Sequence, residues 1–209
     1  MNTTAIPTSA DAWVGKTNRI AATLFPKVQR IHNNPHLDRL DRSWLFVGPP
    51  GVGKSSLAEA LAHQLAGHPL AIDHRNGRST GVDDVKAWYI ATRGRPLFGQ
   101  VHVFLIDELD SASIPACDEL RTFLDKLPPY TVFIGTSNKK YHELPEQLHS
   151  RFQVWYFDSI PATLITDLLV RSYGIAHEIA RAIAIGVDGN VRAAFADAKT
   201  HLDTMEVAA

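Results

Sequence analysis

Hydrophobic positions along the chain follow two regimes that change near Pro161. Before it, apolar runs of strand length alternate with stretches whose apolar residues recur every three or four positions. The runs are Trp44 to Val47, Leu70 to Asp73, Val101 to Ile106, Thr131 to Thr136 and Val154 to Phe157. Helical spacing relates Ile20, Leu24, Val28 and Ile31, and Pro26 is predicted to kink that helix. The same spacing returns in Leu57, Leu61 and Leu65, in Asp83 to Thr92, and in Ile114 to Leu127, where Pro128 and Pro129 stop it. Buried strands alternating with helices predict an α/β fold whose five-stranded parallel sheet is sandwiched by helices.

After Pro161 the strand signals cease. Thr163 to Tyr173, Ala176 to Gly186 and Asn190 to His201 read as three short helices separated by glycines. The pattern divides the chain into an α/β core over 1–158 and a small three-helix lid over 159–209. Met1 to Ala10, small and polar, is predicted to fray.

Composition narrows the classes further. Hydrophobic residues make up 45% of the 209 and charged residues 21%, as in an ordinary globular protein. The net charge of -1 does not mark a nucleic-acid binder, although a local basic patch would be invisible in that total. Cys117 stands alone, which excludes an internal disulfide or a multi-cysteine zinc module. The first residues lack a basic segment followed by an apolar run, and no stretch approaches the ~18 apolar residues of a membrane span. A cytoplasmic protein with no membrane contact is expected. The ten histidines show no metal-binding spacing such as H-E-x-x-H.

The sharpest chemical signal directly follows the first strand. Gly48, Pro49, Pro50, Gly51, Val52, Gly53, Lys54 and Ser55, then Ser56, spell G-x-x-x-x-G-K-S and open a helix. Glycines let backbone N–H groups turn inward around phosphate oxygens, and the helix N-terminus adds positive potential. Lys54 is expected to reach the β- and γ-phosphates of ATP, and Ser55 to place its hydroxyl on Mg2+. Downstream, Phe104 to Glu108 reads FLIDE, an apolar strand ending in two carboxylates at the sheet edge beside that loop. Asp107 is the expected Mg2+ ligand, mostly through water, and Glu108 the group that polarises the attacking water.

GPPGVGKS followed by FLIDE resembles the AAA+ ATPases. The resemblance implies further roles in the family's order. Asn138, closing the fourth strand, corresponds to sensor 1, which orients the attacking water or touches the γ-phosphate. Arg151 in Ser150-Arg151-Phe152 corresponds to the arginine finger given to a neighbouring subunit. Arg192 in Gly189-Asn190-Val191-Arg192 corresponds to the sensor 2 arginine of the lid. A P-loop NTPase of this type works as one subunit of a homo- or hetero-oligomeric ring.

Within AAA+, the chain is most similar to clamp-loader subunits, of the replication factor C small-subunit and phage type. Asn76 to Trp88 (NGRSTGVDDVKAW), Ser150-Arg151-Phe152 in place of Ser-Arg-Cys, GNVRAAF, and Glu119-Leu120-Arg121 carry the likeness. The expected W-x-x-K-x-x-P start is present only as AWVGKT. The sequence stops near the end of the expected lid, so assembly is expected to rest on ATPase contacts or partner chains, not on a collar domain. The resemblance implies loading of a partner, foremost a sliding clamp, onto DNA during replication or repair. An assembly ATPase of another branch remains the alternative: a helicase loader, Holliday-junction motor or transposition regulator. A small P-loop kinase would lack the carboxylate pair, Asn138, Arg151 and Arg192, and intact Lys54, Asp107, Glu108 and Arg151 argue against an inactive subunit.

Two surface readings stay open. Leu97 and Phe98, in TRGRPLFGQ (Thr92 to Gln100), either form an exposed plug for a partner's pocket or enter the third strand and are buried, with burial slightly favoured. Arg78, Arg93 and Arg95 are placed on one rim, where they either meet DNA phosphates or are simply solvated.

Overall fold

The computed structural model describes residues 9–207, so most of the predicted fray lies outside the described residues. Strands β1 (Ser43–Val47), β2 (Ile72–Asn76), β3 (His102–Asp107), β4 (Thr131–Ser137) and β5 (Gln153–Tyr156) form one sheet in the order β2-β3-β4-β1-β5. Every neighbouring pair is parallel. All five strands therefore end at the same edge.

Successive side chains of a strand face opposite sides of the sheet. Trp44 and Phe46 enter one apolar cluster, whereas Leu45 and Val47 enter the other. The first cluster is covered by α1 (Gly15–Asn33) and α2 (Lys54–Ala66), and it continues without a break into α5 (Ala162–Tyr173), α6 (His177–Gly186) and α7 (Val191–Val207). The second is covered by α3 (Val82–Ala91) and α4 (Ile114–Asp125). Among the described residues, no helix is long and apolar enough to cross a membrane.

Four strands lie within one residue of their expected bounds, and the exception is instructive. β2 starts at Ile72, not Leu70, because Pro69–Ala71 forms a 3-10 turn capped by His68, which accepts the Leu70 N–H. Among the described residues β2 pairs only with β3, so its side chains are half exposed and its hydropathy is not strand-like. Helix α1 runs through Pro26, whose ring lies on the exposed face where water can serve the carbonyl it strands.

Two surface expectations are corrected. Leu97 is 95% exposed and Phe98 53%, because β3 begins only at His102. Their loop is fixed at both ends: Arg95 lies 4.2 Å above the Tyr130 ring, and Gln100 N–H donates to Ala66 O at 2.7 Å. The three arginines do not share a rim. Arg78 follows β2 at the strand-end edge, whereas Arg93 and Arg95 follow α3 and return to the strand-start edge.

Arg42 locks that lower edge. It is 4% exposed and donates Nε to Leu37 O (2.9 Å), Nη1 to Pro128 O and Thr131 O (2.8 Å), and Nη2 to Leu127 O (3.2 Å). Replacing it with Met keeps the apolar stem and leaves buried carbonyls without donors. Arg42→Met should cost about 2–4 kcal/mol of stability in urea unfolding; a loss under ~1 kcal/mol would show that these carbonyls find other donors.

Candidate active site

The loop from β1 to α2 closes around the ammonium of Lys54. Its Nζ donates to the carbonyls of Gly48 (2.8 Å) and Pro49 (2.7 Å) and to Asn138 Oδ1 (2.9 Å). Gly53 turns the chain into α2 with φ 96°, a conformation that favours glycine. The unpaired N–H groups of the first turn of α2 then face the same cleft. Burial pulls the Lys54 pKa down to about 8, with Arg192 adding to the effect and Asp110 and Asp107 opposing it. Pro50 to Ser56, Glu108, Thr136, Asn138 and Arg192 line this cleft, whose volume is about 690 Å³.

Two carboxylates arrive on β3. Asp107 is its last residue, and Glu108 follows in the left-handed region at φ 53°. That conformation costs roughly 1–2 kcal/mol in a non-glycine residue. Thr136, on the neighbouring β4, offsets it by serving both residues. Its hydroxyl donates to Asp107 Oδ1 (2.8 Å) and accepts the Glu108 N–H (3.2 Å). β2 supplies one partner to each carboxylate: His74 Nε2 lies 2.8 Å from Asp107 Oδ2, and Asn76 Nδ2 donates to Glu108 Oε2 at 3.2 Å. Burial pushes the Asp107 carboxyl up, but hydrogen bonds with His74, Ser55 and Thr136 outweigh it and hold the group below its usual range. An ionised carboxylate bonded to the Ser55 hydroxyl is an oxygen donor pair suited to Mg2+.

The far end of the cleft is apolar. Trp13, Val14, Ile160, Leu168 and Phe195 line it, and Trp13 packs so close over Gly53 that a Cβ there would lie 3.3 Å from the indole. Helix α7 closes the top, where the Val191 N–H donates to Gly51 O at 3.0 Å and Arg192 enters the cleft.

Arg151 is elsewhere. Its carbonyl accepts the hydroxyl of Ser43, the first residue of β1, whose other end bears the phosphate loop. Five strand residues, about 15 Å, separate the two edges. The guanidinium donates to Asp125 Oδ2 (3.0 Å) and His149 O (2.8 Å). Ser150, at φ 62°, and the buried Phe152 fix the backbone on either side. The structure thus gathers Gly48 to Ser56, Asp107, Glu108, Asn138 and Arg192, and leaves Arg151 out.

Residues 44–158 match the AAA family, ATPases associated with various cellular activities. The chain belongs to the AAA ATPases. It is 24% identical over 208 residues to replication-associated recombination protein A of Bacillus subtilis, covering 97% of this chain and 46% of that protein. It is 31% identical over 147 residues to the replication factor C small subunit of Methanocella arvoryzae, covering 66% of this chain and 42% of that one. The chain therefore spans less than half the length of these curated relatives. The RuvB Holliday junction branch migration motor of Thermotoga maritima superposes with a TM-score of 0.77 at 21% identity, over 97% of this chain and 67% of that one. At that identity the likeness shows the fold.

For this AAA ATPase, sequence reasoning missed Thr136, His74, Asn76 and the apolar wall. Asn76 carried a signal in NGRSTG, but its partner depends on the register that sets Asn76 beside Asp107. The wall joins Trp13 to Phe195, from opposite ends of the chain, and has no local signature.

The buried ammonium has a measurable consequence. Between about pH 8 and 10.5 the unfolded chain holds a proton on Lys54 that the folded chain has released. Stability of the nucleotide-free protein must therefore rise with pH across that window, relative to Lys54→Met, which cannot titrate. Urea unfolding at pH 7 and about pH 9.5 should move the difference by about 2 kcal/mol in favour of wild type. An unchanged difference would mean that Lys54 keeps its ordinary pKa.

Proposed function

We propose that the chain is one subunit of an ATP-driven ring that loads a partner, foremost a sliding clamp, onto DNA during replication or repair. The observation that carries the ring is the separation of Arg151 from the cleft that its own chain builds. A hydrolytic site with Lys54 and Arg192 still needs charge stabilisation on the far side of the γ-phosphate, and a neighbour's Arg151 supplies it.

In this reading the backbone of Gly48 to Ser56 and the Lys54 ammonium hold the β- and γ-phosphates. Ser55 and Asp107 would hold Mg2+, which would neutralise phosphate charge. Glu108 takes the proton of the attacking water, Asn138 orients that water, and Arg192 contacts the γ-phosphate from the lid of 159–209 above the core of 1–158. The Asn76 bond engages one oxygen of the Glu108 carboxylate, restraining its orientation and leaving the other oxygen to act on water. Trp13 and Phe195 take the two sides of the base.

The clamp reading rests on family likeness and on Leu97 and Phe98, which stand exposed on a loop pinned at both ends. Preorganised apolar anchors of this kind bind a pocket at low ordering cost. DNA would be met at the strand-end edge, where Arg78 is exposed beside Asn76. An assembly ATPase of another branch is the second reading. The likeness to replication-associated recombination protein A, which extends over 97% of the chain, favours it.

Arg151→Ala should leave nucleotide binding intact and lower hydrolysis on the order of a thousandfold. Mixing it with Lys54→Ala should restore part of the activity, since each chain supplies what the other lacks. A confirmed oligomer in which mixing restores nothing would remove Arg151 from the trans role. Separately, Leu97→Ser with Phe98→Ser should weaken binding of a purified sliding clamp by about tenfold or more. The melting temperature and basal ATPase activity should hold. Unchanged clamp binding would move the reading to the second branch.

A further inference from the structure

Of the contacts the proposed mechanism leaves unused, the most closely built joins the lid to the phosphate loop. Asn190 caps α7, its Oδ1 accepting the Ala193 N–H at 3.0 Å. The same amide packs directly against Gly51: a Cβ there would fall 1.8 Å from Asn190 Oδ1 and 2.3 Å from its carbonyl carbon. Next along the chain, the Val191 N–H donates to Gly51 O at 3.0 Å. Gly189 fixes the approach from the other side. Its φ is 83°, a Cβ would lie 2.8 Å from the Ser159 side chain, and its carbonyl accepts the Ile160 N–H at 3.4 Å.

We infer that Asn190 is a positioning residue for Arg192, seating the first turn of α7 on Gly51 so that the Arg192 guanidinium is aimed into the phosphate cleft. Helical side chains lean toward the helix N-terminus, so an arginine at the second position of α7 points back at whatever the cap rests on. Here the cap rests on the phosphate loop itself, and Arg192 shares the cleft with Lys54. Any side chain at Gly51 would lift the cap and swing Arg192 away. The inference rests on the proposed contact between Arg192 and the γ-phosphate, and it adds the residue that makes the contact possible.

The test is calorimetric titration of the full chain with ADP and with a non-hydrolysable ATP analogue. Arg192→Ala should reduce the ratio of analogue to ADP affinity. Asn190→Ala should reduce the same ratio by about fivefold, the size of a lost helix cap. Asn190→Ser restores a capping oxygen and should recover most of it. Asn190→Ala combined with Arg192→Ala should match Arg192→Ala alone, because both changes remove one contact. An Asn190 that merely stabilises the lid would weaken both nucleotides alike or neither, and either result overturns the inference, as would additive losses in the double variant. If Arg192→Ala leaves the ratio untouched, the assignment of Arg192 fails first and the inference falls with it.

Discussion

A buried ammonium held by neutral oxygens organises this molecule. Lys54 is 6% exposed and is bonded to two backbone carbonyls and the Asn138 amide, none of which cancels its charge. Burying a charge this way is costly, and the depressed pKa records that cost. The arrangement makes sense around a polyphosphate, whose oxygens bring the missing negative charge. The N-terminus of α2 and Arg192 add positive potential to the same cleft, and on the proposed reading Asp107 and Glu108 serve a metal ion and a water beside it.

The parallel sheet turns this local design into a two-ended device. Every strand ends at the nucleotide edge, so Asp107, Glu108 and Asn138 meet the loop after β1 without any long excursion of the chain. Every strand starts at the opposite edge, and there the structure keeps Arg151, Arg42 and the Leu97–Phe98 loop. β3 joins the two ends directly, leading in six residues from the end that bears that exposed loop to Asp107, with Glu108 next along the chain. On the proposed reading, a partner at one edge and a nucleotide at the other act on the same strand.

Hydrogen bonds across strand register then order the strand-end edge. Thr136 serves Asp107 and Glu108 together, and β2 adds one partner to each carboxylate. Glu108 is thus held in a left-handed backbone conformation with its carboxylate restrained by Asn76.

The sequence by itself determined whatever is contiguous along the chain. The loop from Gly48 to Ser56, the FLIDE strand and four strand positions were legible because their chemistry or burial repeats within a few residues. β2 was misplaced because an edge strand buries little, so its hydropathy says little. For Leu97 and Phe98 the sequence left exposure and burial both open, with burial slightly favoured, because an apolar pair looks alike in a strand and on a loop; only the anchoring by Tyr130 and Ala66 decides between them. The split between Arg78 and Arg93 with Arg95 follows from the direction of α3, which single-residue patterns do not encode. His74, Asn76 and Thr136 became site residues through register, Trp13 and Phe195 through the meeting of chain ends, and Asn190 through a helix cap resting on Gly51. Tertiary structure decided these because each depends on a distance between residues far apart in sequence, and such distances exist only once the sheet has closed and the lid has docked.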